Sequence, residues 1–252
     1  MKIRKILVSQ PKPTTDKSPY SDLAEKYGIH IDFKPFIYVE GVSAKDFRQL
    51  KVNILDHTGI IFTSRTAIDH FFRLCTELRI TIPDTMKYFC ISEATAFYLQ
   101  KYIVYRKRKI FYGEKKIEDM TKILQKNKNE KFLLPLSDIH KENIPALLDK
   151  LNLNYTKAII YKTVASDLSS IEDLHDYDIV ALYTPAGVKS LLQNYPNFEQ
   201  KELTLAAFGP STANAVQDTD LKLDIKAPTP EYPSMTMALE AYIKQFNKPV
   251  KK

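Results

Sequence analysis

Two segments of this 252-residue chain are similar to each other, and this internal repeat limits the folds that the chain can adopt. Residues 59–68 align with residues 179–188 at an offset of 120, and residues 88–96 align with residues 205–213 at an offset of 117. In each block a short apolar run is followed by a hydroxyl residue or a glycine and then by a helix-like segment. Similar blocks at nearly equal offsets predict two lobes with the same fold.

The order of strands and helices along the chain indicates the fold of each lobe. Short apolar strands are predicted at residues 3–9, 29–33, 59–63, 87–91, 110–112, 131–135, 178–183, 203–208 and 222–225. Helices are predicted at residues 19–27, 67–77, 93–102, 118–127, 144–151, 187–194, 211–217 and 234–246, and the tail at 247–252 is expected to be disordered. Strands that alternate with helices predict an α/β, flavodoxin-like fold, in which helices flank a parallel sheet on both faces.

Two further apolar runs, at residues 33–39 and 157–165, predict how the lobes are connected. If these runs pair, they form a two-stranded β ribbon through which the chain leaves one lobe and returns to it. The segment before this ribbon, 1–36, contains too few strands to form a lobe by itself. We therefore expect a discontinuous lobe made of 1–36 plus 166–252 and an inserted lobe at 40–156.

The positive net charge of the chain favours an anionic partner but does not distinguish between kinds of anion. The net charge is +7, from 37 basic and 30 acidic residues, so either nucleic acid or a small polycarboxylate or phosphate ligand is compatible with it. The densest basic run, Arg106 to Lys109, is explained equally well by a solvated turn. Because no zinc-finger, glycine-loop or helix-turn-helix signature accompanies it, we expect no nucleic-acid partner.

Other classes of protein are disfavoured by what the sequence contains. No apolar run approaches the roughly 20 residues of a membrane span, and the first residues are a short basic lead into a strand, so a cytoplasmic protein without a membrane partner is expected. The two cysteines, Cys75 and Cys90, are predicted to be buried reduced thiols. The five histidines are scattered without metal-ligand spacing, and neither GxGxxG nor a P-loop occurs, so no metal or nucleotide cofactor is expected.

Hydroxyl residues and glycine follow the repeated strands, at the places where helices are predicted to begin. In an open parallel sheet the ligand lies outside the carboxyl ends of the strands. Free N–H groups and the positive end of the helix dipole then favour a carboxylate or phosphate. The candidates are Thr63, Ser64, Thr184, Gly209, Pro210, Ser211 and Thr212. Each hydroxyl residue can equally be an ordinary N-cap, so ligand binding and capping both remain open at this point.

Tyr161, in the second ribbon strand, is the titratable side chain of most interest. The predicted hinge would direct its ring toward the cleft between the lobes. The alternative is a tyrosine that only packs, and strand spacing does not distinguish the two.

Five short motifs carry a family resemblance. They are IFTS at 61–64, IYKTV at 160–164, YTPAGV at 183–188, AFGPSTA at 207–213 and APTP at 227–230. Together, in their order and spacing over nearly the whole chain, they resemble uroporphyrinogen-III synthases. The resemblance implies a cofactor-independent lyase of haem and other tetrapyrrole biosynthesis, with two α/β lobes joined by a two-stranded ribbon.

The resemblance also implies a substrate and its contacts. The substrate would be hydroxymethylbilane, which carries eight carboxylates, and the enzyme would close it into uroporphyrinogen III with loss of water and inversion of the last pyrrole ring. Tyr161 corresponds to the hinge tyrosine proposed to assist the leaving hydroxyl. The candidate substrate-binding residues are Thr63, Ser64, Arg65, Ser92, Thr184, Gly187, Gly209, Pro210, Ser211 and Thr212. A monomer is expected.

Two positions differ from the family pattern. Gln10-Pro11 stands where the family often has an arginine, and Ser137-Asp138 stands where it often has Arg-Gly. Arg65, Lys12 or Lys141 could supply the missing positive charge. The alternative function is a non-catalytic, two-lobed binder of a tetrapyrrole or another polycarboxylate.

Overall fold

The computed structural model of the protein describes residues 2–15, 17–140 and 142–249. The strands within these ranges are β1 Lys5–Val8, β2 His30–Phe33, β3 Ile37–Gly41, β4 Gly59–Phe62, β5 Lys87–Cys90, β6 Ile110–Tyr112, β7 Phe132–Ser137, β8 Tyr155–Ala165, β9 Ile179–Leu182, β10 Thr204–Phe208 and β11 Ile225–Ala227. The helices are α1 Pro19–Tyr27, α2 Ala44–Gln49, α3 Arg65–Leu78, α4 Glu93–Tyr98, α5 Thr121–Lys126, α6 Asn143–Lys150, α7 Pro185–Asn194, α8 Pro210–Gln217 and α9 Met235–Ile243. Short 3₁₀ segments lie at Ile54–Asp56, Leu99–Lys101, Ile117–Met120 and Leu174–Asp176.

The chain forms two compact units. The first contains the residues up to Tyr38 and those from Val164 onward, and the second is Val39–Thr163. Each unit has its own parallel sheet flanked by helices, as the alternation of strands and helices predicted.

The sheet of the first unit has the strand order β2-β1-β9-β10-β11, and every pair in it is parallel. Counted within the unit, this is the order 2-1-3-4-5 of flavodoxin-like folds. Alternate residues of β1 lie on opposite faces of the sheet. Ile6 packs with α1 and α9, whereas Leu7 packs with α7 and α8. Both faces are therefore covered, which explains why the strands are apolar without polar alternation.

The sheet of the second unit has the order β3-β8-β7-β4-β5-β6. Without β3, the spatial order β8-β7-β4-β5-β6 matches the order β2-β1-β9-β10-β11 of the first unit strand for strand, but β7 and β8, which correspond to β1 and β2, come last in the chain. Ile60 packs with α3 and α4 on one face, and Ile61 packs with α5 and α6 on the other. The two units therefore share one strand arrangement, reached by a circularly permuted chain order.

The sheet register supports the internal repeat. In the second unit Gly59 lies opposite Lys87, and in the first unit Ile179 lies opposite Thr204. These positions differ by 120 and 117 residues, which are the two offsets found in the sequence alignment. The repeated blocks are thus equivalent strands in equivalent pairings.

The chain passes between the units through β3 and β8, which are hydrogen-bonded neighbours. Val42 N donates to Ile160 O, and Ser166 N donates to Phe36 O. Phe36 is therefore joined to Ser166, and Val42 to Ile160. The residue numbers run in opposite directions along the two strands, so the strands are antiparallel. The predicted ribbon therefore exists, but its first strand begins at Ile37, because Phe33 belongs to β2 and pairs with Val8. β8 also pairs in parallel with β7 and is a member of that sheet.

Two element predictions differ from the structure. Helix α2 was not predicted, because only Phe47 of its six residues is buried and no apolar period can develop over that length. The last strand was predicted at 222–225 but lies at Ile225–Ala227, since Ile225 and Ala227 face the core. The Asp224 carboxylate instead accepts a hydrogen bond from Leu205 N at 3.1 Å, just before the strand.

Asn247 corrects the prediction of a disordered tail. Its side chain is 5% exposed, its Oδ1 accepts a hydrogen bond from Ile3 N at 3.0 Å, and its Nδ2 donates to Ile3 O at 2.7 Å. The amide thereby satisfies both backbone groups of Ile3, just before β1. The prediction is wrong at Asn247, while Val250, Lys251 and Lys252 lie outside the described residues.

We predict that Asn247→Ala lowers the free energy of unfolding by about 2 kcal/mol or more, because both backbone groups of Ile3 lose a buried partner. Urea unfolding followed by circular dichroism measures this. Asn197→Ala, at an exposed asparagine of the same unit, is the control and should change stability by less than about 0.5 kcal/mol. Equal effects of the two substitutions would contradict the anchoring role.

Candidate functional site

In the second unit, the carboxyl ends of β4, β5, β7 and β8 lie along one edge of the sheet, because these strands are parallel. Helices α3 and α4 begin directly after β4 and β5, with Ser64 and Ser92 as their N-caps. The Ser64 Oγ accepts from Ala67 N at 3.0 Å, and the Ser92 Oγ accepts from Thr95 N at 3.3 Å. Both serines therefore act as N-caps, and Ser92 Oγ also lies 3.0 Å from Thr95 Oγ1.

The residues beside Ser64 differ in their surroundings. Thr63 is half-buried at the end of β4, and Arg65 is exposed at the first position of α3. The guanidinium of Arg65 lies 5.4 Å from the centroid of the Tyr98 ring, within range of a cation–π interaction. Arg65 thus adds a positive charge to a helix start that already favours anions.

Tyr161 lies at the same edge, on β8. The parallel register with β7 changes between Leu136 and Ser137, so that Tyr161 lies opposite Ser137. The Tyr161 Oη is 3.5 Å from Ser64 Oγ, which is at the limit of a hydrogen bond, and the ring is half-buried. The fold thus brings together two predicted residues that are 97 positions apart.

The sequence did not identify Asp138 as a structural contributor to this edge. Its Oδ1 accepts hydrogen bonds from Thr163 N at 3.0 Å, Ile139 N at 2.8 Å and Ser137 Oγ at 2.8 Å. Burial raises the pKa of this carboxyl, but these hydrogen bonds outweigh the burial and hold the pKa below its ordinary value. The Asp138 carboxylate is therefore ionised and binds the backbone of β8 at Thr163, two residues after Tyr161. An acidic residue directly after an apolar strand is the sequence signal that could have revealed it.

His70 is a second residue that the sequence did not identify. Its ring stacks on the Tyr161 ring, with centroids 5.2 Å apart and planes inclined by 17°. Burial, followed by the positive charge of Arg73, lowers the pKa of His70, and the Asp69 carboxylate opposes this only in part. The imidazole is therefore neutral near pH 7.

In the first unit, Thr184 and Gly187 lie after β9 at the carboxyl edge of the sheet. The Thr184 Oγ1 accepts from Gly187 N at 2.9 Å and caps α7. A Cβ added to Gly187 would lie 3.2 Å from that oxygen, so the cap favours a residue without a side chain. Gly187 is buried, and its N–H is already used by the cap.

Gly209 is the N-cap of α8 and directly follows the neighbouring strand β10. Its φ of 88° is in the region that favours glycine, and its N–H donates to Ala227 O. Pro210 and Ser211 are exposed in the first turn of the helix, whereas Thr212 is only 2% exposed. Of the two hydroxyl residues predicted here, Ser211 is the accessible one.

The basic residues considered as replacements for the missing arginines have different surroundings. Lys12 is exposed in the loop after β1, near the exposed Gln10, and Lys141 lies outside the described residues. Arg65 is therefore the candidate cation that the structure places directly at a helix start of the carboxyl edge.

Other site types find no support in the part of the chain that the structure describes. These residues contain no group of three or more His, Cys, Asp or Glu side chains that could hold a metal ion. Cys75 and Cys90 are buried free thiols, and burial raises the pKa of each to about 12. None of the described helices is long and apolar enough to cross a membrane.

Comparison with known proteins identifies the family. The family model described as Uroporphyrinogen-III synthase HemD matches residues 18–237, which is most of the chain. The chain belongs to the uroporphyrinogen-III synthase family. The match includes the ends of β4, β5, β8, β9 and β10, and therefore all the predicted site residues of both units.

Individual members of the family cover the chain almost completely. A uroporphyrinogen-III synthase of Chlorobaculum parvum is 22% identical over 263 aligned positions, covering 96% of this chain and 100% of that protein. The crystal structure of uroporphyrinogen-III synthetase from Helicobacter pylori 26695 has a TM-score of 0.59 at 15% identity, covering 96% and 100% of the two chains. A mutant uroporphyrinogen III synthase from the extremely thermophilic bacterium Thermus thermophilus has a TM-score of 0.52 at 14% identity, covering 96% and 98%. These structures share the two-lobed fold.

We predict that Ser64→Ala lowers the free energy of unfolding by about 1 kcal/mol, because Ala67 N loses its capping acceptor. Ser64→Asn should retain most of the stability, since asparagine also caps well. Thermal and urea unfolding of the two variants measure the difference. Equal stability of the alanine and asparagine variants would show that the cap contributes nothing measurable.

Proposed function

We propose that this protein is a uroporphyrinogen-III synthase, a lyase that closes hydroxymethylbilane into uroporphyrinogen III with loss of water and inversion of the last pyrrole ring. The observation that carries the proposal is the position of Tyr161, whose half-buried phenol lies beside Ser64 at the start of α3. The substrate and the reaction in this proposal are those of the uroporphyrinogen-III synthase family, to which the chain belongs.

In the proposed reaction, the terminal hydroxyl of the bilane leaves as water and an azafulvene cation forms. Tyr161 would donate a hydrogen bond or a proton to that hydroxyl. The distance of 3.5 Å to Ser64 Oγ is long, so the phenol is only weakly held and can turn its proton to a substrate oxygen. A phenol with a pKa near 10 is a modest acid, so Tyr161 assists the departure without being an absolute requirement.

The substituted carbon of the last ring then attacks the cation and forms a spiro intermediate, which reopens and closes with that ring inverted. Without an enzyme the chain closes on the unsubstituted carbon and gives the symmetric isomer. The proposed contribution of the protein is therefore mainly orientation of a flexible substrate. Loss of water and ring closure leave the oxidation level unchanged, so the proposal requires no cofactor.

The helix starts in each unit suit the carboxylates of the bilane. In the second unit α3 begins with Arg65, and in the first unit α7 and α8 begin with Pro185 and Pro210 after Thr184 and Gly209. The positive ends of these helices stabilise carboxylates, and the net charge of +7 attracts a polyanion. In this proposal the positive ends of the helices take the place of side-chain cations, so the absence of an arginine at Gln10 and at Ser137 is compatible with it.

The same two departures support the alternative of a non-catalytic binder, since neither Gln10 nor Ser137 supplies the positive charge that the family often has there, and Asp138, next to Ser137, is an anion. Incubation of the purified protein with freshly prepared hydroxymethylbilane distinguishes the two functions. Oxidation of the products to porphyrins and separation of the isomers should give predominantly type III. Formation of the type I isomer alone, with retained binding of the bilane, would favour the binder.

We predict that Tyr161→Phe keeps the fold and lowers kcat by about tenfold or more, because the group that assists the leaving hydroxyl is removed. Tyr155→Phe is a matched control on the same strand, since the Tyr155 hydroxyl donates to Asp149 Oδ1 at 2.8 Å, away from the carboxyl edge. Steady-state assays of type III formation compare the two variants. An unchanged kcat for Tyr161→Phe would reduce Tyr161 to a packing residue.

A further inference from the structure

The Tyr161 ring is held on one face by His70 of α3. The two rings are nearly parallel, at 17°, and their centroids are 5.2 Å apart. Tyr161 is only half-buried at the edge of its sheet. In the part of the chain that the structure describes, its hydroxyl has Ser64 Oγ as its hydrogen-bonding neighbour, and that contact is long. The ring also packs against the core cluster on the α3 side of the sheet, and the stack with His70 adds a contact on one ring face that limits where the ring can turn.

His70 is in turn held by Arg73, one helical turn further along α3. Arg73 Nε donates to His70 Nδ1 at 3.4 Å, Arg73 Nη2 donates to Val42 O at 2.8 Å, and Arg73 Nη1 donates to Glu77 Oε1. A Cβ added to Gly41 would lie 2.5 Å from Arg73 Nη2, so the guanidinium occupies the space that a side chain there would need. Arg73 thus connects α3 to the end of β3.

The connection returns to Tyr161 through the backbone. Val42 N donates to Ile160 O at 3.0 Å, and Ile160 directly precedes Tyr161. Arg73 therefore binds a carbonyl of the residue that pairs with the backbone of β8, and through His70 it also reaches the side chain of Tyr161. Helix α3 therefore contacts the residue that pairs with the β8 backbone through Arg73, and the Tyr161 ring through His70.

Arg73 also selects the tautomer of His70. A guanidinium only donates hydrogen bonds, so the contact of 3.4 Å from Arg73 Nε to His70 Nδ1 favours the neutral tautomer with its proton on Nε2. The charged groups around the imidazole are Arg73 and Asp69, both on α3, and burial together with Arg73 lowers its pKa. A neutral ring in one tautomer and one orientation therefore faces Tyr161.

We propose that His70, oriented by Arg73, is a positioning residue that holds the Tyr161 phenol in the orientation from which it reaches the substrate hydroxyl. This inference rests on the proposed function of Tyr161. A catalytic group held in one conformation loses less entropy in the transition state, and a displacement of about 1 Å can cost two orders of magnitude in rate. His70 contacts no reacting atom in this scheme, so its loss should act on kcat and leave KM nearly unchanged.

The kinetic test uses His70→Ala, His70→Phe and the double variant His70→Ala with Tyr161→Phe. His70→Ala should lower kcat by about tenfold with little change in KM. His70→Phe keeps a flat ring for the stack and should recover more than half of the activity. In the Tyr161→Phe background, His70→Ala should cost less than about twofold, because the group that it positions is already absent.

The inference is overturned if His70→Ala lowers kcat by the same factor with and without the Tyr161 hydroxyl, or if His70→Phe is no better than His70→Ala. The first result would mean that His70 acts independently of Tyr161, and the second that the ring stack is irrelevant. Thermal unfolding of all variants identifies any loss that comes from instability.

A measurement without activity tests the stack itself. The chain has five histidines, so ¹³C-labelled histidine gives few NMR signals, and the His70 signal is the one absent from His70→Phe. Tyr161→Leu should shift the His70 Cε1–H signal by removing the ring current of Tyr161, whereas Tyr155→Leu should not. An unmoved signal overturns the inference. Wild-type protein that makes only the type I isomer while the His70 signal moves as expected would overturn the proposed function alone.

Discussion

Apart from the antiparallel edge strand β3, both sheets are built by parallel pairing of largely buried strands, and the candidate site residues at the strand ends are positioned by this pairing. Parallel neighbours need a crossover, and here helices on both faces of each sheet provide it, so the strands are apolar on both sides. The same pairing brings the carboxyl ends of β4, β5, β7 and β8 to one edge of the sheet. Helix starts, caps and the end of β8 with Tyr161 consequently lie together, although no single sequence motif connects them.

The two units have the same strand arrangement in a circularly permuted chain order, and this shows which contacts determine the fold. In the first unit β1 pairs with β9, so Ile6 lies opposite Ile179, and the early segment provides β1 and the edge strand β2 to a sheet completed much later in the chain. In the second unit the equivalent strands follow the others instead. Equal strand order with different chain order indicates that packing of the sheet, rather than the sequence of connections, determines the arrangement.

Around Tyr161 the structure combines rigid support with a weakly held hydroxyl. Asp138 accepts hydrogen bonds from the backbone beyond the ring, the register change at Ser137 places Tyr161 at the edge, and His70 covers one face. Among the described residues, the phenol oxygen itself has Ser64 Oγ as its hydrogen-bonding neighbour, at the long distance of 3.5 Å. Such an arrangement suits a group that must give its hydrogen bond to a ligand, because the protein does not already compete for it.

Sequence patterns were enough to predict the repeat, the α/β class and most helices and strands, and they gave Ser64 and Thr184 as possible N-caps, since apolar periodicity and capping residues act over a few neighbouring positions. Which of these residues meet depends on tertiary contacts. His70 carries no local signal for a role beside Tyr161, the position of Asp138 after an apolar strand does not show which backbone groups it binds, and Asn247 looked like part of a polar tail. Their positions depend on hydrogen bonds and ring contacts between residues 25 to 244 positions apart, which appear only when the strands have paired with their neighbours.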